Sequence, residues 1–387
     1  MIRIGNPADC CGCTACASIC QHSAITMLPD SLGFLYPQID DSKCIDCGLC
    51  NHVCQFNENY DHTLNLTAPL AYAVRHKHVE EVMQSRSGAA FVALTDYVLK
   101  LGGVVYGAGY ENHFRVVHKR AVTKEERNEF RGSKYVQSDL ANVFLLIKED
   151  LKKGLLVLFS GTPCQTAGLN AFIGKRLRES LILVDIVCHG VPSPFIWRDY
   201  IKYLERKEKC EISHVDFRDK KIFGWTRHKE SYIYTSGKKE SKDSFTYLFY
   251  QHIMLRHSCS ACPFTNLQRP SDITLADLWG WEKVAPDYNQ DDKGVSLVLL
   301  NTLKGQALFN NVQKDLFCRL IDIQQCMQPN LLHPSTPHPE RMQFEKLYEM
   351  KGFKGIGSRY GNWGWRYKMK QHYKIVKQAI KRRIKIK

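Results

Sequence analysis

The sequence predicts an α/β (α+β) protein in which a small, cysteine-built N-terminal domain precedes a mixed-sheet α/β body. Three observations predict it. Eight cysteines fall into two identical runs between residues 10 and 54. From residue 70, short β-rich runs alternate with helix-length ones. The chain has 387 residues, 44% hydrophobic and 24% charged, enough for a large core.

Cys10, Cys13, Cys16 and Cys20 are spaced C-x2-C-x2-C-x3-C, and Cys44, Cys47, Cys50 and Cys54 repeat the spacing. This is the bacterial ferredoxin run, in which the fourth cysteine of each set ligates the other cluster. Cys10, Cys13, Cys16 and Cys54 are therefore expected to hold one [4Fe-4S] cluster. Cys20, Cys44, Cys47 and Cys50 are expected to hold the second. Two-residue gaps let a tight loop wrap a cubane with its amides toward the sulfurs, and Gly12 and Gly48 ease that wrap. Zinc fits poorly, because it takes four ligands rather than two interleaved sets. The stretch AITMLPDSLGFLYPQID predicts a hairpin between the runs. Gln21 and Gln55 stand where such runs usually carry proline, and Cys11 is surplus. A two-cluster ferredoxin domain over 1–60 and a linker over 61–69 follow.

The body alternates strands (LAYAVRH, GGVVYGAGY, FRVVHKRAV, LLVLFSG, LILVDIV) with helices over 89–101, 140–151 and 194–206. Antiparallel strands are expected over 216–237, and a strand–helix pair from Val295. The body divides into an N-terminal part (70–155), a C-terminal part (156–330) and a basic extension (331–387).

No apolar run reaches membrane-spanning length. The start, MIRIGNPADC, lacks a secretory h-region. A cytoplasmic chain is expected. Thiols stay reduced there, so sixteen cysteines point to metal or redox chemistry rather than disulfides. The formal charge of +15 is uneven: residues 366–387 hold ten Lys or Arg and no acid. No P-loop, full dinucleotide fingerprint or H-E-x-x-H is present.

Cys164 and Cys188 each follow a strand and precede a helix, and Cys259 and Cys262 form a C-x-x-C. Together these are four ligands, enough for a third cubane. Read alone, Cys164 is also compatible with a packed thiol or with a helix-terminal nucleophile. Cys188, His189, Cys259 and Cys262 are compatible with a zinc site. Cys210, Cys318 and Cys326 have no partner spacing.

RGSKYVQSDL, FSGTPCQTAGL, DIVCHGVPSPFIW and CSACPF…DITLADLWG closely resemble the coenzyme F-420 hydrogenase/dehydrogenase beta-subunit family, in order, over most of residues 1–330. The resemblance implies a body that binds FAD and a [4Fe-4S] cluster. It implies Cys164, Cys188, Cys259 and Cys262 as ligands of that cluster. It places the flavin near Ser87, Gly88, Gly132, Ser133, Lys134, Thr162, Asp277 and Trp279. Two segments depart from the family pattern. QSRSGAA stands where the family tends to have a serine run and two glycines, and LADLWG stands where a Gly-Asp-x-Trp-Gly is common. His189 is either a proton donor or a turn histidine bonding backbone. RGSKY offers amides and Lys134 to a diphosphate, or is a solvated turn. Trp279 and Trp281 also suit a core.

Trp365, Met369, Tyr373, Val376, Ile380 and Ile384 share one face of a basic helix, suited to an anionic membrane surface or to packing on the body. Peripheral attachment at the inner membrane face is the corresponding expectation. No nucleic-acid partner is expected. The function expected is an FAD-dependent iron–sulfur oxidoreductase working between a ferredoxin or other low-potential carrier and a small-molecule or lipid-linked substrate. Bacterial members of the family often stand in surface-polysaccharide gene sets, which suggests that setting. Two alternatives are a non-catalytic electron-transfer subunit and an accessory protein of polysaccharide assembly with structural clusters.

Overall fold

The computed structural model describes residues 1–57, 60, 68–363, 367 and 369. Most of the expected linker lies outside the described residues. So does the expected surface helix, apart from Tyr367 and an exposed Met369.

Near the N-terminus, β1 (Ile25–Pro29) and β2 (Leu35–Ile39) form the expected antiparallel hairpin. Asp30 Oδ1 accepts from the amides of Leu32 and Phe34 at 2.9 and 2.8 Å, the side-chain mimicry that fixes such turns. Part of the tip of this hairpin is withdrawn from solvent. Leu32 and Phe34 are buried against Ile196 and Trp197 of the body.

The body is one eight-stranded sheet. Its strands are β3 (Leu70–His76), β4 (Val104–Glu111), β5 (Arg115–Ala121), β6 (Val157–Ser160), β7 (Leu181–Ile186), then β11 (Ile273–Asp277), β12 (Ser296–Leu300) and β13 (Leu316–Ile321). The order is β13-β3-β12-β11-β7-β6-β4-β5. The central four, β11, β7, β6 and β4, run parallel, and the remaining pairs are antiparallel. Strands from both halves of the body interleave in this single layer.

Side-chain alternation decides which helices cover which face. Val105, Leu158 and Ile182 pack against the helices Ala90–Lys100 and Leu303–Val312. Their neighbours Val104, Val157 and Leu181 pack against Val143–Lys152 and Pro163–Ile173. Coverage of both faces explains why LLVLF and LILV read as continuous apolar runs. The remaining strands, β8 (Ile212–Asp216), β9 (Glu230–Tyr234) and β10 (Lys239–Lys242), make a separate antiparallel sheet. It shares a core with the helices Pro194–Glu208 and Arg341–Tyr360 through Tyr200, Phe245, Phe344 and Phe353. Among the described residues no helix is long and apolar enough to cross a membrane.

In a parallel sheet, ligands gather at the carboxyl ends of the strands. Here β6 ends four residues before Cys164, β7 ends two before Cys188, and β11 ends on Asp277.

His118 on β5 is buried, with Nε2 3.0 Å from the Ser160 carbonyl and Nδ1 buried without a partner. Desolvation lowers it to about 4, against a weaker raising effect of the Ser160 bond. The unfolded chain, near 6.5, binds the proton first as pH falls. This group's contribution is full above about pH 6.5 and is lost as pH falls toward 4. We expect urea unfolding to show about 2 kcal/mol less stability from His118 at pH 5 than at pH 7. The variant His118→Gln should lack that loss.

Candidate functional site

The first cysteine run winds tightly, with Gly12 at φ 69° and Thr14 at φ 64°. A Cβ at Gly12 would stand 2.9 Å from both Arg256 Nη1 and the Leu35 carbonyl, so only glycine fits there. Cys16 lies within electrostatic range of Cys10, Cys13 and Cys54, and Cys54 within range of Cys10 and Cys13. The amides of Gly12, Ala15, Ala17 and Phe56 donate to these four sulfurs. Burial pushes the Cys16 thiol well up and Cys54 to about 11. Iron ligation reverses that preference, because a coordinated thiol is deprotonated.

Cys20, Cys44, Cys47 and Cys50 line one cavity with Met1, Ile25, Ile39 and Leu49. The Ile2 amide donates to Cys50 Sγ at 3.2 Å and the Ala24 amide to Cys20 Sγ at 3.4 Å. Each run thus sends its fourth cysteine to the other set. Among the described residues, no three His, Cys, Asp or Glu side chains converge as tightly as a single ion requires. Four thiols around a cavity are the wider arrangement that a cubane takes.

In the body, Cys164 is the second residue of the helix Pro163–Ile173, whose start is fixed by a Thr162/Gln165 capping box. Thr162 Oγ1 lies 3.2 Å from Cys164 Sγ. Cys188 and Cys259 are brought together by paired backbone: Arg256 N donates to Val191 O, and Ser193 N to Met254 O. The Gly190 amide donates to Cys188 Sγ, and the Val191 amide to Cys259 Sγ, each at 3.4 Å. Cys188, Cys164, Cys259 and Cys262 are within electrostatic range of one another. Burial raises Cys188 well up, Cys259 to about 11 and Cys262 to about 12. A hydrogen bond from Cys11, opposed by burial, brings Cys164 down to about 7.

Two buried side chains that the sequence did not single out join the N-terminal domain to this site. Arg256 donates to Cys10 O at 2.7 Å, Gln137 Oε1 at 3.0 Å and Leu35 O at 2.8 Å, and Nη2 lies 3.6 Å from Cys10 Sγ. Gln137 Nε2 donates to Cys11 O at 2.8 Å. The surplus Cys11 is also engaged: it hydrogen-bonds both Cys13 and Cys164. A lone Arg or Gln in a sequence carries no sign of such roles. Its position just before a C-x-x-C was the only available signal for Arg256.

The residues expected near a flavin divide into groups. Ser87 Oγ donates to Val295 O at 2.7 Å, and the Gly88 amide to Ser296 Oγ at 3.0 Å. A Cβ at Gly88 would stand 2.2 Å from Val74 O, so this glycine serves strand packing. Asp277 accepts from Arg218 Nη1 at 2.6 Å and Trp225 Nε1 at 3.1 Å, with Arg86 Nε at 3.9 Å. Trp279 stacks on Trp225 at 4.7 Å and reaches the surface rather than the core. Lys220 donates to Ser87 O at 3.1 Å, and desolvation, aided by Arg86, lowers it to about 7. The two buried guanidiniums of Arg86 and Arg218 therefore share one carboxylate.

Gly132 and Ser133 form an exposed turn with φ 76° at Gly132. Lys134 donates to Glu129 O and to Arg131 O, and desolvation lowers it to about 7. The link between the two groups is Tyr135, whose hydroxyl is 3.3 Å from Arg218 Nη1.

His189 sits between the body cysteines and this region. Its Nε2 is 2.6 Å from His252 Nε2, while His252 Nδ1 is 2.9 Å from Thr336 O. That carbonyl requires N–H at His252 Nδ1, so His189 Nε2 is the donor of the pair. Desolvation and His252 lower His189 to about 4. Its ring contacts Tyr250 at 5.7 Å, and Tyr250 OH is 2.5 Å from His228 Nδ1. His189 is thus neutral, with its Nε2 proton committed to His252.

Residues 9–57 match the family described as 4Fe-4S dicluster domain. Residues 155–325 match the family described as the C terminus of the Coenzyme F420 hydrogenase/dehydrogenase beta subunit. Among solved structures, a chain of the xenon-derivatised F420-reducing [NiFe] hydrogenase complex from Methanosarcina barkeri is similar at 15% identity. The likeness covers 76% of this chain and 90% of that chain, with a TM-score of 0.45, below the level that supports a shared fold. Comparison with curated proteins gives no match. With a dicluster domain over 9–57 and, over 155–325, a domain similar to the C terminus of the coenzyme F420 hydrogenase/dehydrogenase beta subunit, the chain is an iron–sulfur, electron-transfer oxidoreductase-like protein related to that subunit.

Proposed function

We propose that this chain carries electrons between a ferredoxin-like one-electron carrier and FAD by way of three [4Fe-4S] clusters, and that an organic substrate is reduced or oxidised at the flavin. The clusters supply one-electron storage, and a flavin supplies exchange between one- and two-electron chemistry. Cys10, Cys13, Cys16 and Cys54 hold the first cluster. Cys20, Cys44, Cys47 and Cys50 hold the second. Cys164, Cys188, Cys259 and Cys262 hold the third.

The observation that carries the reading is the continuity of one polar network. Cys188 adjoins His189, whose ring meets Tyr250; Tyr250 meets His228, and His228 senses Arg218 and Arg86. Arg218, Asp277 and Trp279 stand at the end of that chain. Two buried guanidiniums on one carboxylate leave a positive excess, which an anionic group relieves. The half-exposed Trp279 gives a planar face beside it. These features fit a flavin phosphate and ring, with Asp277 orienting Arg218 and Lys134 serving the outer phosphate side. His189 holds its proton toward His252, so its role here is to hold the Cys188 loop against Tyr250.

Anaerobically purified and reconstituted protein is expected to contain about twelve iron and twelve acid-labile sulfide per chain, with a flavin spectrum after FAD addition. Eight of each, with zinc present, would replace the third cluster by a zinc site. Full iron with no flavin uptake would leave an electron-transfer subunit.

A further inference from the structure

Cys11 lies outside both ligand runs, yet it is 5% exposed and its thiol faces the sulfurs of Cys13 and Cys164. One of these belongs to the N-terminal domain and the other to the body. Gln55, 4% exposed, donates from Nε2 to Cys11 Sγ at 3.0 Å and to Cys164 O at 2.7 Å. It also reaches Cys13. The backbone around Cys11 is held by Gln137 Nε2 on its carbonyl at 2.8 Å. The helix that carries Cys164 approaches so closely that a Cβ at Gly168 would stand 2.7 Å from Cys13 Sγ. Cys13 and Cys164 therefore meet across a bare glycine with one thiol and one amide between them.

We propose that Cys11 and Gln55 form a hydrogen-bonded bridge between the first N-terminal cluster and the body cluster, and that electrons cross between the two domains there. This rests on the three-cluster reading above. A thiol has one proton, and here two acceptor sulfurs face it. Hydrogen bonds to ligand sulfurs stabilise the reduced, more negative cluster and raise its potential. A donor shared by two ligand sulfurs therefore raises both potentials together. The transfer moves one electron; no bond forms or breaks, and the proton stays on Cys11. Cys11 and Gln55 are positioning residues, since neither is a ligand.

The test uses the full chain, purified anaerobically, with iron analysis and EPR-monitored redox titration. Cys11→Ala is expected to keep twelve iron per chain. The midpoint potentials of both the Cys13-side and Cys164-side clusters should fall together, each by about tenfold in the reduction equilibrium, about 59 mV for one electron. Cys11→Ser, which restores a donor, should recover part of the shift. Gln55→Ala should move both potentials in the same direction. An unmoved potential at either site, in protein that keeps twelve iron, overturns the bridge and leaves the three-cluster reading standing. Loss of about four iron in Cys11→Ala also overturns it, because Cys11 would then be a ligand. Eight iron in the unsubstituted chain removes the body cluster, and the bridge falls with the reading it rests on.

Discussion

Cys164→Ser is expected to lower iron from about twelve to about eight per chain while the EPR signals of the N-terminal pair persist. The substitution is close to isosteric, and the fold has little reason to change. Thr162 and Gln165 still cap the helix, and Pro163 still begins it. What changes is the proposed ligand. A thiolate at this position is favoured by hydrogen bonds from Cys11 and Thr162, whereas a serine hydroxyl keeps its proton and binds iron poorly. Full iron content in this variant would exclude Cys164 as a ligand. Cys47→Ser, in the exposed part of the N-terminal domain, should have the converse effect and spare the body signal.

Arg269→Met is expected to cost about 3–5 kcal/mol in urea unfolding of the holo-protein, and to release the proposed body cluster. Arg269 and Asp185 are both fully buried, and Arg269 Nη2 lies 2.9 Å from Asp185 Oδ2. Removing one partner leaves the other charge uncompensated in the core. Arg269 also donates to the carbonyls of Phe264 and Ile186. It thereby ties the loop after Cys262 to the end of β7, two residues before Cys188. The double variant with Asp185→Leu should regain part of the stability, because no lone charge remains. It should not regain the iron, because the two carbonyl ties are still missing. A loss below about 1 kcal/mol in the single variant would place the pair among weak surface-like contacts.

The hairpin between the cysteine runs shows how a local signal and a global outcome differ. Its strands and its Asp30 turn follow from residues within a few positions of one another. Its tip, Leu32 and Phe34, is instead built into the core of the body, and the amide of Phe195 donates to Leu32 O. A cut near residue 60 would therefore strip the body of core residues and leave Arg256 without its Cys10 and Leu35 partners.

By itself the sequence marked the two cysteine runs of the dicluster domain, because thiols two residues apart are wrapped by a single loop and their spacing is the geometry. It determined β3 to β7, β12 and the helices over Ala90–Lys100 and Pro194–Glu208, because periodicity and caps act within one element; it did not mark β10, β11 or β13, and it ran β8 and β9 together over 216–237, where a short helix, Lys220–Phe223, separates them. It also marked four body cysteines as able to form a set. Only the tertiary structure decided what surrounds them. Arg256 meets Cys10 across 246 positions and Gln55 meets Cys164 across 109. His189 meets His252 across 63, and Arg218 meets Asp277 across 59. None of these pairs has a spacing to read. Each exists because parallel crossovers bring the ends of β6, β7 and β11 to one edge, and because the N-terminal hairpin packs against that body.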